Sequence, residues 1–279
     1  MLNLIEEMDT MKEVRQKLRG KVGFVPTMGY LHAGHMELVR RARAENKTVV
    51  VSIYVNPIQF GPKEDFKSYP RDFDRDMSML SDADTDIVFA PMDEEMYPDD
   101  FSTFVEVEKV TQRLEGKVRP GHFVGVATVV AKLFNLVQPT RAYFGAKDAQ
   151  QVVVIKRMIA DLNMNLEVVT VPTVRESDGL AMSSRNVYLN PEERAAAIVL
   201  YKALTTAQQH FERGEKDAGH LRQIMTSLIQ KEPLAQIDYV SIANPDTLTE
   251  LRKIKGRSLA SLAVRIGKTK LIDNVTLGN

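Results

Sequence analysis

No cysteine occurs in the 279 residues, which excludes a disulfide framework, a thiolate nucleophile and cysteine-ligated zinc. An excess of charge is also missing, since 37 lysines and arginines balance 37 aspartates and glutamates. Nucleic-acid binders carry a basic surplus, so neutrality argues against that partner. No apolar run approaches the ~18 residues of a membrane span. The opening stretch, MLNLIEEMDTMKEVRQKLRG, reads as a charged amphipathic helix and not as a leader with a long apolar centre. Both familiar phosphate loops are absent: no G-x-G-x-x-G follows an apolar run, and no G-x-x-x-x-G-K-[ST] occurs. A bound nucleotide must therefore be held by other means. There is no internal repeat and no low-complexity linker. With 44% hydrophobic and 27% charged residues, the composition is ordinary for a globular chain. The expectation is a cytoplasmic protein with no membrane or nucleic-acid partner.

What is present is a regular alternation. Runs at 21–26, 47–55, 86–91, 141–146 and 166–172 are short, apolar and β-branched, and helical spacing fills 35–45, 72–82, 125–137 and 148–161. Continuous apolar strands suit a parallel sheet covered on both faces. Strand–helix alternation then implies a Rossmann-like, doubly wound α/β domain over residues 1–175. Ligands of such sheets gather at the carboxyl ends of the strands, here after Val25, Val55, Ala90 and Phe144. From 176 to 279 the texture changes. A helix is expected over 190–214, with Asn190 as N-cap and Pro191 in its first turn, and another over 217–231. Three strand-like runs follow, implying a smaller α+β domain with antiparallel strands.

The stretch FVPTMGYLHAGHMELVRRA (24–42) joins the first strand to a helix and holds His32 and His35, two of the chain's five histidines. A helix N-terminus offers backbone N–H groups and a positive dipole end, a site suited to phosphate. Two imidazoles facing the same anion would add donors as charge grows in a transition state. On residue chemistry alone an equal alternative is that one histidine caps the helix and the other packs against a neighbour.

HAGH after a strand resembles the H-x-G-H signature of the nucleotidyltransferase superfamily. That superfamily has a second half-signature downstream, a mobile M-S-K or S-S-R loop that closes over the triphosphate, and GLAMSSRN (179–186) stands in its place. The longer strings FVPTMGYLHAGH, VNPIQFGPKEDFKSYPRD, RPGHFVGVATVVAKLFNLVQP, YFGAKDAQQ and TVRESDGLAMSSRNVYL together resemble the pantothenate synthetase family. The resemblance implies ATP-dependent condensation of pantoate with β-alanine. Pantoate is first adenylated, with release of pyrophosphate, and the β-alanine amine then displaces AMP. It also implies Mg2+, a homodimer, and the small molecules pantoate, β-alanine and ATP as partners.

Carried over residue by residue, the resemblance makes His35, His32, Lys147, Ser183, Ser184 and Arg185 the catalytic groups. ATP contacts fall on Met28, Gly29, Tyr30, Leu31, Ala33 and Gly34 beside the histidines, on Gly145, Ala146 and Asp148 around Lys147, and on Val174 and Met182 ahead of the serines. Thr27 and Met28 are expected where pantoate meets ATP, with Gln59 and Gln151 gripping pantoate through amides that donate and accept without adding charge. Asn56, Arg119 and His122 are assigned to the pantoate and β-alanine end. Local readings stand beside these: Asp148 as a helix cap, the glutamines as surface residues, RPGHF as a loop-closing turn. Asp76 is a candidate for positioning magnesium, with an exposed helix carboxylate as the alternative. Ala33 and Ala146 stand where the family commonly has glutamate, and Tyr30 where a smaller residue is frequent. Two other functions share H-x-G-H: a nucleotidylyltransferase that keeps the nucleotide in its product, and a nucleotide-sensing module. An aminoacyl-tRNA synthetase is disfavoured by the neutral charge.

Overall fold

The structure, a computed structural model, describes residues 2–278. The chain divides into two compact units, and not by a single cut. The first unit takes Met1–Glu108, Arg119–Ala146 and Val154–Pro172, and the second Lys109–Val118, Lys147–Val153 and Thr173–Asn279. Thr173 lies close to the expected boundary, but two short inner segments also belong to the second unit.

Six strands, β1 (Asn3–Ile5), β2 (Val22–Thr27), β3 (Thr48–Ile53), β4 (Ile87–Phe89), β5 (Arg141–Gly145) and β6 (Glu167–Val171), form one parallel sheet in the order β1-β4-β3-β2-β5-β6. Helices α1 (Met8–Lys17), α2 (Ala33–Glu45), α3 (Phe73–Asp82), α4 (Asp93–Met96), α5 (Leu114–Val118), α6 (His122–Val137) and α7 (Ala149–Asp161) lie along the same stretch of chain. The order reverses between β2 and β5, so the turn after β2 sits at the sheet's switch point, where ligands of this fold bind. Val25, Val49, Val51 and Val88 from three strands pack with Leu38, Val39 and Leu80 from two helices. β3 is buried along almost its whole length, as the continuous apolar run predicts. The amino terminus departs from the expected helix: Asn3–Ile5 pair with Ile87–Phe89 at the sheet edge before α1 begins.

The second unit contains α8 (Pro191–Ala196), α9 (Val199–Glu212), α10 (Ala218–Ile229) and an antiparallel sheet of β7 (Ala235–Ala243), β8 (Ser258–Ile266) and β9 (Thr269–Leu277). Leu200, Leu204, Leu221, Met225 and Ile229 pack with Leu262, Val264 and Ile266 of the central strand. Asn190 caps α8 in a reciprocal box with Glu193, as expected. The single helix expected over 190–214 is two, because the chain tightens at Ala197 and Ile198, where Leu200 N–H bonds the Ala197 carbonyl at 3.2 Å. Among the described residues, no helix is long and apolar enough to cross a membrane.

Candidate active site

β2 delivers the chain into a tight left-handed turn. Thr27 donates its hydroxyl proton to the Ser52 carbonyl (2.7 Å) and accepts from Gly29 N–H (3.1 Å), which folds the backbone back at the strand end. Gly29 and Tyr30 then adopt φ of +79° and +49°. A Cβ at Gly29 would meet Asp76 Oδ2 at 3.1 Å and an Ile53 methyl at 3.0 Å, so glycine serves both conformation and space. Tyr30 N–H and Leu31 N–H each donate 2.7 Å bonds to the two oxygens of Asp76, a residue only 1% exposed. Asp76 is therefore not an exposed helix carboxylate. Both of its oxygens clamp the turn, and among the described residues no three His, Cys, Asp or Glu side chains gather as a metal set. Burial raises its pKa above the ordinary aspartate range, and the bonds from Leu31 and Tyr30 offset only part of that rise.

The clamp presents His32 as the N-cap of α2. Gly34 N–H donates to His32 Nδ1 at 3.1 Å, and His32 N–H donates to His35 Nδ1 at 3.3 Å. Two histidines thus form a reciprocal capping box, a place where Ser or Thr with Glu is usual. Their rings lie 4.0 Å apart and tilted by 34°. A nitrogen that accepts from a backbone N–H carries no proton, so each neutral ring holds its proton on Nε2. Helix capping and phosphate binding, posed as alternatives, do not compete for the same atom: the cap uses Nδ1, and Nε2–H is the donor edge of each neutral ring.

Gln59 ends a short 3-10 turn after β3. Its Nε2 lies 3.1 Å from Met28 Sδ, which brings the amide to the turn between β2 and α2. Asn56 Nδ2 donates to Gln59 Oε1 and to the Gly125 carbonyl, both at 3.1 Å. Arg119 and His122 support the same residue from behind. His122 Nδ1 bonds the Gln59 carbonyl at 2.9 Å, while its Nε2 faces Arg119 Nη1 at 3.0 Å. Arg119 can only donate, so Nδ1 carries the imidazole proton. The guanidinium is also held by both oxygens of Glu64 at 2.6 Å. Burial acts to raise the Glu64 pKa, but the Arg119 bonds and charge outweigh it and hold the carboxyl low. A cavity of ≈ 360 Å³ opens at the carboxyl ends of β2, β3 and β4, lined by Met28, Tyr30, Tyr54, Pro91 and Asp76 among others.

The other expected residues belong to the second unit, apart from Gly145 and Ala146, which close β5 and open the next turn in the first. Lys147 Nζ stands 3.6 Å from Asp148 Oδ2, and Asn274 Nδ2 donates to the Lys147 carbonyl at 2.8 Å. Gln151 is half-buried in the first turn of α7. Val174 and Met182 are joined by a 3.0 Å backbone bond across a small loop. Ser183 caps the 3-10 turn Ser184–Tyr188 by accepting from Arg185 N–H at 3.3 Å, and Ser184 is buried. The loop is pinned by Arg175, whose guanidinium grips Asp273 at 2.7 and 3.0 Å and bonds the Gly179 carbonyl. Sequence reasoning missed Tyr97, Glu64, Gly125 and Arg175. Only Gly125 left a local trace, as a glycine inside an apolar helix.

Imidazole donors fixed on a helix N-terminus at the switch point of a parallel sheet define a class: an α/β enzyme of the nucleotidyltransferase superfamily. Within that class the chain belongs to the pantoate–β-alanine ligase family, whose profile matches residues 2–276. It is 60% identical to the pantothenate synthetase of Herpetosiphon aurantiacus, over 96% of this chain and 98% of that one. Identity to the pantothenate synthetase of Thermotoga neapolitana is 54%, over 99% and 100% of the two chains. Among solved structures, a pantothenate synthetase from Thermus thermophilus superposes with a TM-score of 0.96 at 49% identity, covering 100% of both chains. A pantoate–β-alanine ligase from Francisella tularensis, complexed with β-γ ATP and β-alanine, gives 0.81 at 34% identity, over 99% and 97%.

Proposed function

We propose that this chain catalyses its family's reaction, the ATP-dependent condensation of pantoate with β-alanine to pantothenate, through a pantoyl adenylate. The observation that carries the reading is the histidine capping box, which orients both imidazoles through Nδ1 at the switch point, on the turn whose Met28 meets the Gln59 amide. A carboxylate is a poor acyl donor because its leaving group would be oxide. Attack of a pantoate oxygen on the α-phosphorus of ATP forms the phosphoanhydride and expels pyrophosphate. The β-alanine amine then attacks the activated carbonyl, the amide forms, and AMP leaves with the oxygen that pantoate brought.

His32 and His35 stabilise charge on the phosphates as hydrogen-bond donors, since protonating Nδ1 would set it against a backbone N–H. Gln59 takes an oxygen of pantoate. Lys147, Ser183, Ser184 and Arg185 are assigned to ATP on chemical grounds, as an ammonium, two hydroxyls and a guanidinium suited to phosphate oxygens. Asp148 suits ribose hydroxyls, Val174 adenine, and Gln151 pantoate. Mg2+ is proposed to come with the ATP phosphates, where it needs only one or two protein oxygens. A homodimer in the cytoplasm completes the reading.

Pyrophosphate exchange into ATP tests it. Exchange should require pantoate and proceed without β-alanine, and the full reaction should yield AMP. ADP as the nucleotide product, or a product that keeps the nucleotide, refutes the adenylate route.

A further inference from the structure

Gln59 is constrained at more atoms than a side chain that merely lines a pocket. Its backbone carbonyl is taken by His122 Nδ1, and its Oε1 by Asn56. Helix α6 approaches so closely at Gly125 that a Cβ there would stand 2.6 Å from both Gln59 Cα and N. The amide that fixes Oε1 is itself fixed. Asn56 Nδ2 also donates to the Gly125 carbonyl, an atom that can only accept, and the Tyr97 hydroxyl donates to Asn56 Oδ1 at 2.8 Å. Asn56 is 1% exposed, and both its amide protons and its carbonyl are used inside the protein. It has little left to offer a substrate.

The polarity of the chain follows from these partners. Tyr97 keeps its proton at working pH because burial, with Asp93 adding to it, raises the phenol pKa. The Lys132 ammonium sits 5.7 Å over the Tyr97 ring and 4.7 Å over that of Phe101, which holds the ring in place. Tyr97 donates to Asn56, Asn56 donates to Gln59, and Gln59 is left with its Nε2 protons at the Met28 end of the site. A turned-over Gln59 would bring Oε1 against the oxygens of an acid substrate and leave two N–H groups facing each other at Asn56.

We propose that Tyr97 and Asn56 are positioning residues that set the polarity of the Gln59 amide, so that it serves as a donor to an oxygen of the acid substrate. The proposal rests on the assignment of pantoate to Gln59. It moves Asn56 from contact with substrate to control of the residue that makes the contact, and it adds Tyr97 from a stretch, EEMYP, that no motif marked.

Asn56→Asp reverses the relay, because an aspartate can only accept and Gln59 must turn its NH2 toward it. The Michaelis constant for pantoate should rise roughly 10- to 100-fold, the value of one misoriented polar contact, with those for ATP and β-alanine within about threefold of wild type. Tyr97→Phe removes one anchor while the Gly125 carbonyl remains, and should raise the pantoate constant about 3- to 10-fold. In a Gln59→Ala background, Tyr97→Phe should add nothing further. Equal loss for all three substrates, or an additive effect in that background, overturns the relay. A second readout is independent of turnover. In 15N-labelled protein, Tyr97→Phe should shift the side-chain amide signals of both Asn56 and Gln59, each identified by its loss in the alanine variant. A Gln59 signal that stays in place overturns the relay even if Tyr97→Phe melts early. Wild-type protein that forms no AMP from the three substrates, yet shows the coupled shift, refutes the assigned reaction and leaves the relay standing.

Discussion

Asp76→Asn changes one atom in a side chain that holds the histidine turn through two 2.7 Å bonds from Tyr30 and Leu31 N–H. Asparagine keeps one acceptor, and its NH2 then confronts the other backbone N–H. Losing a bond to a charged acceptor costs ~1.5–3 kcal/mol, and a buried orphan N–H ~1–3 kcal/mol. Against this stands the desolvation of the carboxylate, which is the largest influence on the Asp76 pKa and drives it upward. Removing the charge returns that cost, so the two effects offset and the change in stability should be small. Geometry has no such compensation. Gly29 and Tyr30 hold positive φ next to the cap, and releasing one N–H lets the turn relax and carries His32 and His35 with it. A displacement on the order of 1 Å in such donors costs up to ~10²-fold in rate. The expected result is a 10- to 100-fold fall in kcat for pyrophosphate exchange, with a melting midpoint within a few degrees of wild type.

The pH dependence of Asp76 gives the same reasoning a second check, with opposite signs for stability and activity. Its folded pKa is raised, so this group's contribution to stability is full below the unfolded value and is lost as pH rises through the folded one. Activity runs the other way. Protonation turns one oxygen into a donor, the clamp opens, and exchange should fall on an acid limb placed above the ordinary aspartate range. Asp76→Asn should lack that limb. Wild-type kcat in the variant, or a loss matched by its unfolded fraction, would falsify the clamp.

His35→Ala should lower the exchange rate by about 10²–10³-fold, the cost of one preorganised donor, and a change under about threefold would return the residue to a capping role alone. Gly125→Ala forces a methyl to within 2.6 Å of the Gln59 backbone; overpacking of this kind costs ~1–3 kcal/mol, so calorimetry should show a lower midpoint and kinetics a raised pantoate constant. Arg175→Met strands Asp273, whose side chain is 2% exposed, without its partner. Breaking a buried pair costs ~3–5 kcal/mol in denaturant unfolding. Burial already raises the Asp273 pKa despite Arg175, so the deficit should shrink as pH falls and the stranded carboxyl takes a proton.

The sheet was legible because β2 to β5 are mostly buried strands, and burial on both faces writes itself as unbroken apolar runs; β6, a half-exposed edge strand, showed through its β-branched Val168, Val169, Thr170 and Val171. β1 escaped because three residues at a sheet edge carry no period, and the helical pattern beside them dominated. The break between α8 and α9 has no Gly or Pro to mark it; two residues simply tighten within helical dihedrals. At the site, His32, His35 and Gln59 stand in local strings. The pairings that hold them in place run across long gaps in the chain. Asp76 lies 46 residues from Tyr30, Tyr97 lies 41 from Asn56, and His122 lies 63 from Gln59. No periodicity connects such pairs: Asp76 stood out as a magnesium candidate and His122 as a substrate contact, but neither string named its long-range partner, and Tyr97 alone reads as an ordinary loop side chain. Gly125 is the exception. A glycine inside a helix costs ~1 kcal/mol relative to alanine, so one kept in the middle of HFVGVATVV requires a reason in packing. That reason is the 2.6 Å approach to Gln59, which makes the helix glycine the one long-range support of the site that local sequence can betray.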